Sequence, residues 1–190
     1  MATQAPARLH FTGNDEADAL LAEEPLALLI GFVLDQQVTV QKAFAGPLAI
    51  RERLGTFDPE TLATADLEPV FRQIPAVHRY PGSMAKRVHD LAVHIRDAYD
   101  GDAARVWNEA SDGHDLQQRL LDLPGIGPMK ARSLIAILGK RFGIKPPGWE
   151  DVAPSHPTLG DVDSVEALLD YQAKKRAHKA AMRAAGATQA

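Results

Sequence analysis

The chain has 190 residues, of which 45% are hydrophobic and 24% are charged, a composition typical of a soluble globular protein with one sizeable core or two small lobes. It contains no cysteine, which excludes disulfides, thiolate zinc sites and cysteine-ligated iron–sulfur clusters. The longest apolar run, residues 26–34, is far shorter than the ~20 residues of a membrane span, and no signal peptide is visible. We therefore expect a cytoplasmic protein without a membrane partner.

The predicted elements are all helices. In chain order, apolar residues at helical spacing predict helices over 15–23, 25–35, 38–54, a short helix from Pro59 capped by Asp58, 84–99, 105–110, 116–121, 131–141 and 164–184. The proline-rich stretch from Ile144 to Gly160 is expected to be irregular. Because no segment alternates as a strand, the sequence predicts an all-α fold.

A glycine turn between two of these helices carries the strongest functional signal. Gly125 and Gly127 flank Ile126, and this spacing predicts a tight turn whose backbone can approach another molecule closely. The turn leads directly into a helix N-terminus, where unpaired N–H groups favour an anion. The alternative is an ordinary helix-to-helix turn capped by glycine.

Basic residues cluster on both sides of a gap in the C-terminal half. Residues 129–145 and 171–190 each carry five lysines and arginines and no acid, although the chain as a whole has a net charge of −4. This distribution predicts a local surface for a phosphate backbone. A solvated basic face is the alternative.

Three further segments occur together with the glycine turn in an order typical of one family. They are Leu34–Val40, which contains Asp-Gln-Gln-Val-Thr; Phe57–Ala63; and Met84–Ala92. With the turn, they resemble the helix-hairpin-helix (HhH-GPD) DNA glycosylase superfamily. Within it, the chain is most similar to the 3-methyladenine DNA glycosylase II branch and to the short actinobacterial base-excision repair proteins. The resemblance covers about residues 14–145.

The resemblance implies two helical lobes with a cleft between them, and a monomer that binds double-stranded DNA and is associated with the nucleoid. Such enzymes extrude a damaged nucleotide into the cleft and cleave the bond between base and sugar. The hairpin amides at Gly125, Gly127 and Lys130 would hold a phosphate, with a monovalent cation at the hairpin. Gln36 and Gln37 would fill or probe the vacated stack, although their amides could simply bond to neighbouring backbone.

The residue that distinguishes the two reaction types of this superfamily is a methionine here. Members that also cut the sugar–phosphate chain have a lysine two residues after the second glycine, and Met129 stands at that position. Lys130 is about 100° further around the helix and is expected to face another way, as a phosphate contact or a surface charge. The resemblance therefore implies a monofunctional enzyme that uses water.

The resemblance also implies an aspartate about twenty residues after the hairpin, which stabilises the positive charge on the sugar. Asp151 and then Glu150 are the best-placed acids, although the surrounding Pro-Pro-Gly-Trp sequence departs from the family's usual motif. Two solvated loop acids are the alternative.

The segment 77–82 is expected to be a loop, in which His78 and Tyr80 could stack on or hydrogen-bond an extruded base. Packing at the edge of the core is the alternative for Tyr80, and a surface position for His78. The spacing of the seven histidines predicts no metal site, and no cofactor is expected apart from the hairpin cation.

We therefore predict a monofunctional base-excision repair glycosylase that acts on a damaged, alkylated base. Non-catalytic binding of damaged or bent DNA through the same hairpin is the alternative function, and a helical protein-interaction domain is a third. The predicted organisation is a glycosylase-like domain at 1–145 with its hairpin at 120–138, an irregular segment at 146–163, and a basic C-terminal helix and tail at 164–190 that packs on the same domain.

Overall fold

A computed structural model of the chain describes residues 5–187. The first four and last three residues, which belong to the predicted domain and to the predicted C-terminal tail, lie outside the described residues. Within residues 5–187 the chain is helical and forms no strand, so the all-α prediction is confirmed. The α-helices are α1 (Asp15–Glu23), α2 (Pro25–Leu34), α3 (Val40–Leu54), α4 (Pro59–Thr64), α5 (Glu68–Arg72), α6 (Pro81–Tyr99), α7 (Arg105–Asn108), α8 (Gly113–Leu121), α9 (Pro128–Arg141), α10 (Trp149–Val152) and α11 (Val165–Ala187).

Polar caps fix where several of these helices begin. The predicted cap at Asp58 is confirmed, since its carboxylate accepts a hydrogen bond of 2.8 Å from the N–H of Thr61. Asn14, Thr39 and Asp112 cap α1, α3 and α8 in the same way. Each cap satisfies an N–H group that the first helical turn leaves without a backbone partner.

The sequence analysis placed the starts of two helices too late. Helices α6 and α9 begin at Pro81 and Pro128, three residues before the predicted positions. Proline in the first turn costs no hydrogen bond, because the N–H there has no partner in the helix. The stretch predicted to be irregular contains α10 and a single 3-10 turn, Leu159–Asp161.

The helices pack in two groups that share one buried apolar cluster. In the first group, α1, α2 and α3 pack on one another, and α6 packs on α2, α4 and α5. In the second group, α8 contacts α7, α9 and α10, while α9 also contacts the 3-10 turn. Every residue from Leu26 to Leu34 is buried, so α2 is a central helix whose C-terminal end defines a fixed position in the molecule.

Helix α11 is attached at its N-terminal part and exposed beyond it. Leu168 is buried, Tyr171 is partly buried, and the side chains from residue 173 to 186 are exposed. The amides of Gln172 and Gln41 exchange hydrogen bonds of 2.8 and 3.2 Å, which join α11 to the start of α3. Among the described residues, no helix combines the length and hydropathy that crossing a membrane requires.

Candidate nucleic-acid interface

The hairpin turn (residues 122–127) joins α8 to α9 and rests on the C-terminal end of α2. Gly125 has a left-handed backbone with φ of +83°. A Cβ atom at this position would lie 3.3 Å from Cγ2 of Val33. Ile126 is buried, and its N–H donates to the carbonyl of Leu123. Both the conformation and the close contact require glycine at position 125, so its role is to dock the turn against α2.

Gly127 differs from Gly125 because it faces open space. A Cβ atom here would meet nothing within 4 Å, and the residue is exposed at the N-cap of α9. In the described part of the chain, no side chain caps this helix. The first-turn N–H groups of Met129 and Lys130 are therefore free to bind an anion, in the manner of helix N-termini.

Lys130 does not face outward as the sequence analysis expected. Its side chain turns back across the hairpin, and Nζ lies 3.4 Å from the carbonyl oxygen of Val33 and 3.5 Å from that of Gly125. The expected 100° rotation is correct for the Cα–Cβ bond, but a four-carbon side chain is long enough to return to the carbonyls at the end of α2. Burial lowers the pKa of Lys130, with Arg87 adding to the effect and Asp35 opposing it.

The α2–α3 loop (residues 35–39) lies next to the hairpin turn because α2 ends there. Gln37 is exposed and has a left-handed backbone with φ of +56°, which is uncommon for a residue with a side chain. Gln36 is partly buried, and its Oε1 is buried without a hydrogen-bond partner among the described residues. The predicted probing residues therefore lie beside the predicted phosphate anchor, one exposed and one with an unused acceptor.

His78 holds this loop in place, and this corrects its predicted role as a base contact. The ring is fully buried, and Nδ1 accepts a hydrogen bond from the N–H of Tyr80. Nε2 must therefore carry the proton, which points at the carbonyls of Leu34 and Gln36, each 3.1 Å away. Because both nitrogens are used and the ring is enclosed, His78 cannot touch a base in this structure.

Tyr80 is 40% exposed and reaches the same loop from the other side. Its hydroxyl donates to Oε1 of Gln37 over 3.0 Å, and the guanidinium of Arg79 lies 5.0 Å from the centre of its ring. Arg79 was not singled out from the sequence. The three side chains form an exposed aromatic and cationic cluster next to the hairpin turn, which suits contacts with bases and phosphates.

Only part of the predicted basic surface surrounds the hairpin. Lys140 forms an ion pair of 2.5 Å with Asp161, and Arg141 donates to the carbonyl of Gly160, at the other end of α9. Arg87 of α6 and Lys175 of α11, in contrast, are exposed and close enough to influence Lys130 and Asp35 respectively. Clustering in sequence was thus a poor guide to clustering in space.

Glu150 and Asp151 are exposed on α10, which packs away from the hairpin turn. The indole of Trp149 anchors this helix, donating to the carbonyl of Ile135 over 3.0 Å and packing against Gly139. The preceding carbonyl, that of Gly148, lies against Gly113, the first residue of α8. Both contacts are with the ends of α8 and α9 remote from the turn, and Ile135 and Gly139 are ~10–16 Å along α9 from Pro128 at 1.5 Å per residue.

Asp35, an acid that the sequence analysis quoted only as part of a motif, lies in the α2–α3 loop itself. Burial raises its pKa, and Lys175 and Lys130 oppose that shift. The position of an acid directly after nine buried residues of α2 was a signal that could have identified it.

The hairpin cation implied by the resemblance would need free carbonyl oxygens in the turn. The carbonyl of Leu123 accepts from the N–H of Ile126, and that of Gly125 lies 3.5 Å from the Lys130 ammonium. A cation that used these oxygens would compete with donors already in place, and it stays a prediction.

A family model described as the HhH-GPD superfamily base excision DNA repair protein matches residues 30–182. The match begins within α2 and extends well beyond residue 145, where the sequence resemblance ended, so it includes α10 and most of α11. No curated protein and no solved structure matches the chain.

Proposed function

The chain belongs to the HhH-GPD superfamily of base excision DNA repair proteins, and on this premise we propose that it is a monofunctional DNA glycosylase. It hydrolyses the N-glycosidic bond of a damaged, alkylated base that is extruded from duplex DNA. The observation that carries the proposal is the direct packing of the hairpin turn on the end of α2, with Gly125 against Val33. This contact places a phosphate anchor beside the loop that contains Gln36 and Gln37.

Each part of this site has a role in extrusion. The amides after Gly127 hold a phosphate next to the lesion, and exposed Gln37 enters the space that the base vacates. Extrusion costs a few kcal/mol and costs less where pairing is already weakened, so damaged bases are favoured before the pocket is reached. Tyr80 offers a ring face on which an extruded, electron-poor alkylated base can stack.

Water is the nucleophile because Met129 has no amine to attack the sugar C1′. Its side chain is 82% exposed at the start of α9. The proposed product is an intact strand with an abasic site. Lys130, whose ammonium is turned toward the carbonyls of Val33 and Gly125, is the amine that could challenge this assignment.

Incubation with duplexes that carry single alkylated or oxidised bases tests the reaction. We expect release of a free base from an alkylated duplex, no strand cleavage, and no covalent protein–DNA adduct after borohydride treatment. An adduct that disappears in Lys130→Ala would contradict monofunctional catalysis. Lys86→Ala, which removes an exposed lysine paired with Asp90, is the control.

The placement of Glu150 and Asp151 favours the second candidate, non-catalytic binding of damaged or bent DNA. Both acids are exposed on a helix packed away from the hairpin turn, so their predicted catalytic role rests on the sequence resemblance alone. If tight binding of lesion-bearing duplexes is found together with no base release across the whole panel, the binding function replaces the enzymatic one.

A further inference from the structure

Asp35 occupies a position that the glycosylase function has not yet used. It is the C-cap residue of α2, where its N–H donates to the carbonyl of Gly31 over 3.0 Å. Two residues earlier, Val33 touches Gly125 with its side chain and Lys130 with its carbonyl. The next two residues are Gln36 and Gln37. Asp35 therefore lies between the phosphate anchor and the loop that enters the DNA.

The charges around Asp35 come from separate elements. Lys130 extends from α9 and Lys175 from α11, and Arg87 of α6 faces Lys130. No ion pair within 4.0 Å links Asp35 to a lysine, and no hydrogen bond to its carboxylate is seen among the described residues 5–187. A largely buried carboxylate without a close partner is costly, so its presence calls for an explanation other than stability.

We propose that Asp35 supplies the carboxylate that faces the sugar of the extruded nucleotide and stabilises its developing positive charge. This inference rests on the glycosylase function proposed above and names its catalytic acid. A low-dielectric position strengthens the attraction between a carboxylate and a cation that forms beside it. When DNA binds, phosphates draw the exposed Arg87 and Lys175 toward themselves, so fewer cations compete for the carboxylate.

The reaction balances with Asp35 in this role. The C1′–N bond breaks and its electron pair leaves with the base, so that a cationic alkylated base departs neutral and requires no proton. The oxygen of water forms the new bond to C1′, and a proton of that water passes to the Asp35 carboxylate and then to solvent. The carboxylate is restored at the end of the cycle.

Three asparagine variants separate the candidate acids. Asp35→Asn removes the proposed charge, and Asp151→Asn removes the acid that the sequence resemblance indicates. Asp122→Asn is the matched control, because this exposed carboxylate precedes the hairpin turn and only accepts a hydrogen bond from Gln118. Thermal unfolding checks that all three variants are folded. Base release is measured for each in single-turnover reactions.

A binding measurement makes the test independent of turnover. The probes are two duplexes, one with a cationic pyrrolidine in place of the sugar and one with a neutral tetrahydrofuran abasic site. We expect the unmodified protein to prefer the cationic duplex about tenfold, and we expect Asp35→Asn to lose that preference. Base release should fall about 100-fold or more in the same variant, while Asp122→Asn and Asp151→Asn keep both properties.

Either of two results overturns the role of Asp35: the unmodified protein shows no preference for the cation, or Asp35→Asn retains it. Loss of the preference in Asp151→Asn alone would assign the role to α10 instead. If the preference depends on Asp35 but no lesion is released by any variant, the carboxylate faces the sugar as inferred and the glycosylase function itself is wrong.

Discussion

At the scale of single residues, the two glycines of the hairpin turn have different functions despite their similar sequence context. Gly125 combines a φ of +83° with a close contact to Val33, so the fold requires it. Gly127 has an ordinary φ of −95° and open space beside it, so the fold does not require it. The absence of a side chain at position 127 therefore benefits a molecule that approaches from outside.

Gly127→Leu should leave stability nearly unchanged and weaken duplex binding at least tenfold, a loss of ~1.4 kcal/mol, because the new side chain blocks the approach of a phosphate. Fluorescence anisotropy with a labelled duplex measures the affinity, and thermal unfolding measures the stability. The companion Gly125→Ala should instead destabilise the protein by ~1 kcal/mol or more, since alanine is strained at positive φ. Undiminished affinity in a folded Gly127→Leu variant would contradict the hairpin assignment.

At the scale of elements, the site is an arrangement of loops that a few polar contacts hold together. His78 joins the α5–α6 loop (residues 73–80) to the α2–α3 loop through the carbonyls of Leu34 and Gln36. The Gln41–Gln172 pair attaches α11 to the start of α3. These contacts fix the position of Gln37, whose left-handed backbone requires support from its surroundings.

His78→Gln should lower the free energy of unfolding at neutral pH by about 1–3 kcal/mol, because buried carbonyls and the Tyr80 N–H lose a well-placed partner. Burial lowers the pKa of His78 below 6.5, against the opposing effect of the Gln36 and Leu34 carbonyls. The unfolded chain therefore binds a proton that the folded state resists, so stability is lost as the pH falls below about 6.5.

Denaturant unfolding between pH 5 and 8 checks this prediction. The unmodified protein should lose stability toward pH 5 more steeply than His78→Gln. His114→Gln, at an exposed position, is the control and should follow the unmodified protein. Equal slopes for the unmodified protein and His78→Gln would rule out a buried neutral histidine.

At the scale of the whole molecule, an acidic chain presents a basic surface at one place. The net charge is −4, yet Arg87, Lys130 and Lys175 converge beside the hairpin turn from three different helices. Long-range attraction to DNA is therefore weak, while local attraction at the hairpin is strong. Such a distribution favours binding at one face of the molecule over coating of the DNA.

Duplex affinity should fall steeply with salt, because each phosphate that is neutralised releases counterions. Lys175→Gln should reduce the slope of log affinity against log salt by about 1, since it removes one phosphate contact. Lys140→Gln is the control, because Lys140 already pairs with Asp161 at the other end of α9, and its slope should not change. Anisotropy titrations from 50 to 300 mM salt, a range of our choosing on the scale of such effects, give the slopes.

The sequence by itself determined the helices and the hairpin, because these depend on local periodicity, caps and the glycine turn. It also identified the family, since the Gln-Gln loop and the glycine turn are contiguous strings. Helix starts were less well predicted where a proline occupied the first turn, as at Pro81 and Pro128.

Only the tertiary structure decided which side chains form the site. It buried His78, turned Lys130 inward and left Glu150 and Asp151 exposed on α10. It also placed Asp35 among cations contributed by α9 and α11, far away in sequence. The physical reason is that burial and charge at a site depend on contacts between distant segments, and a long side chain can reverse the direction that helical spacing assigns to it.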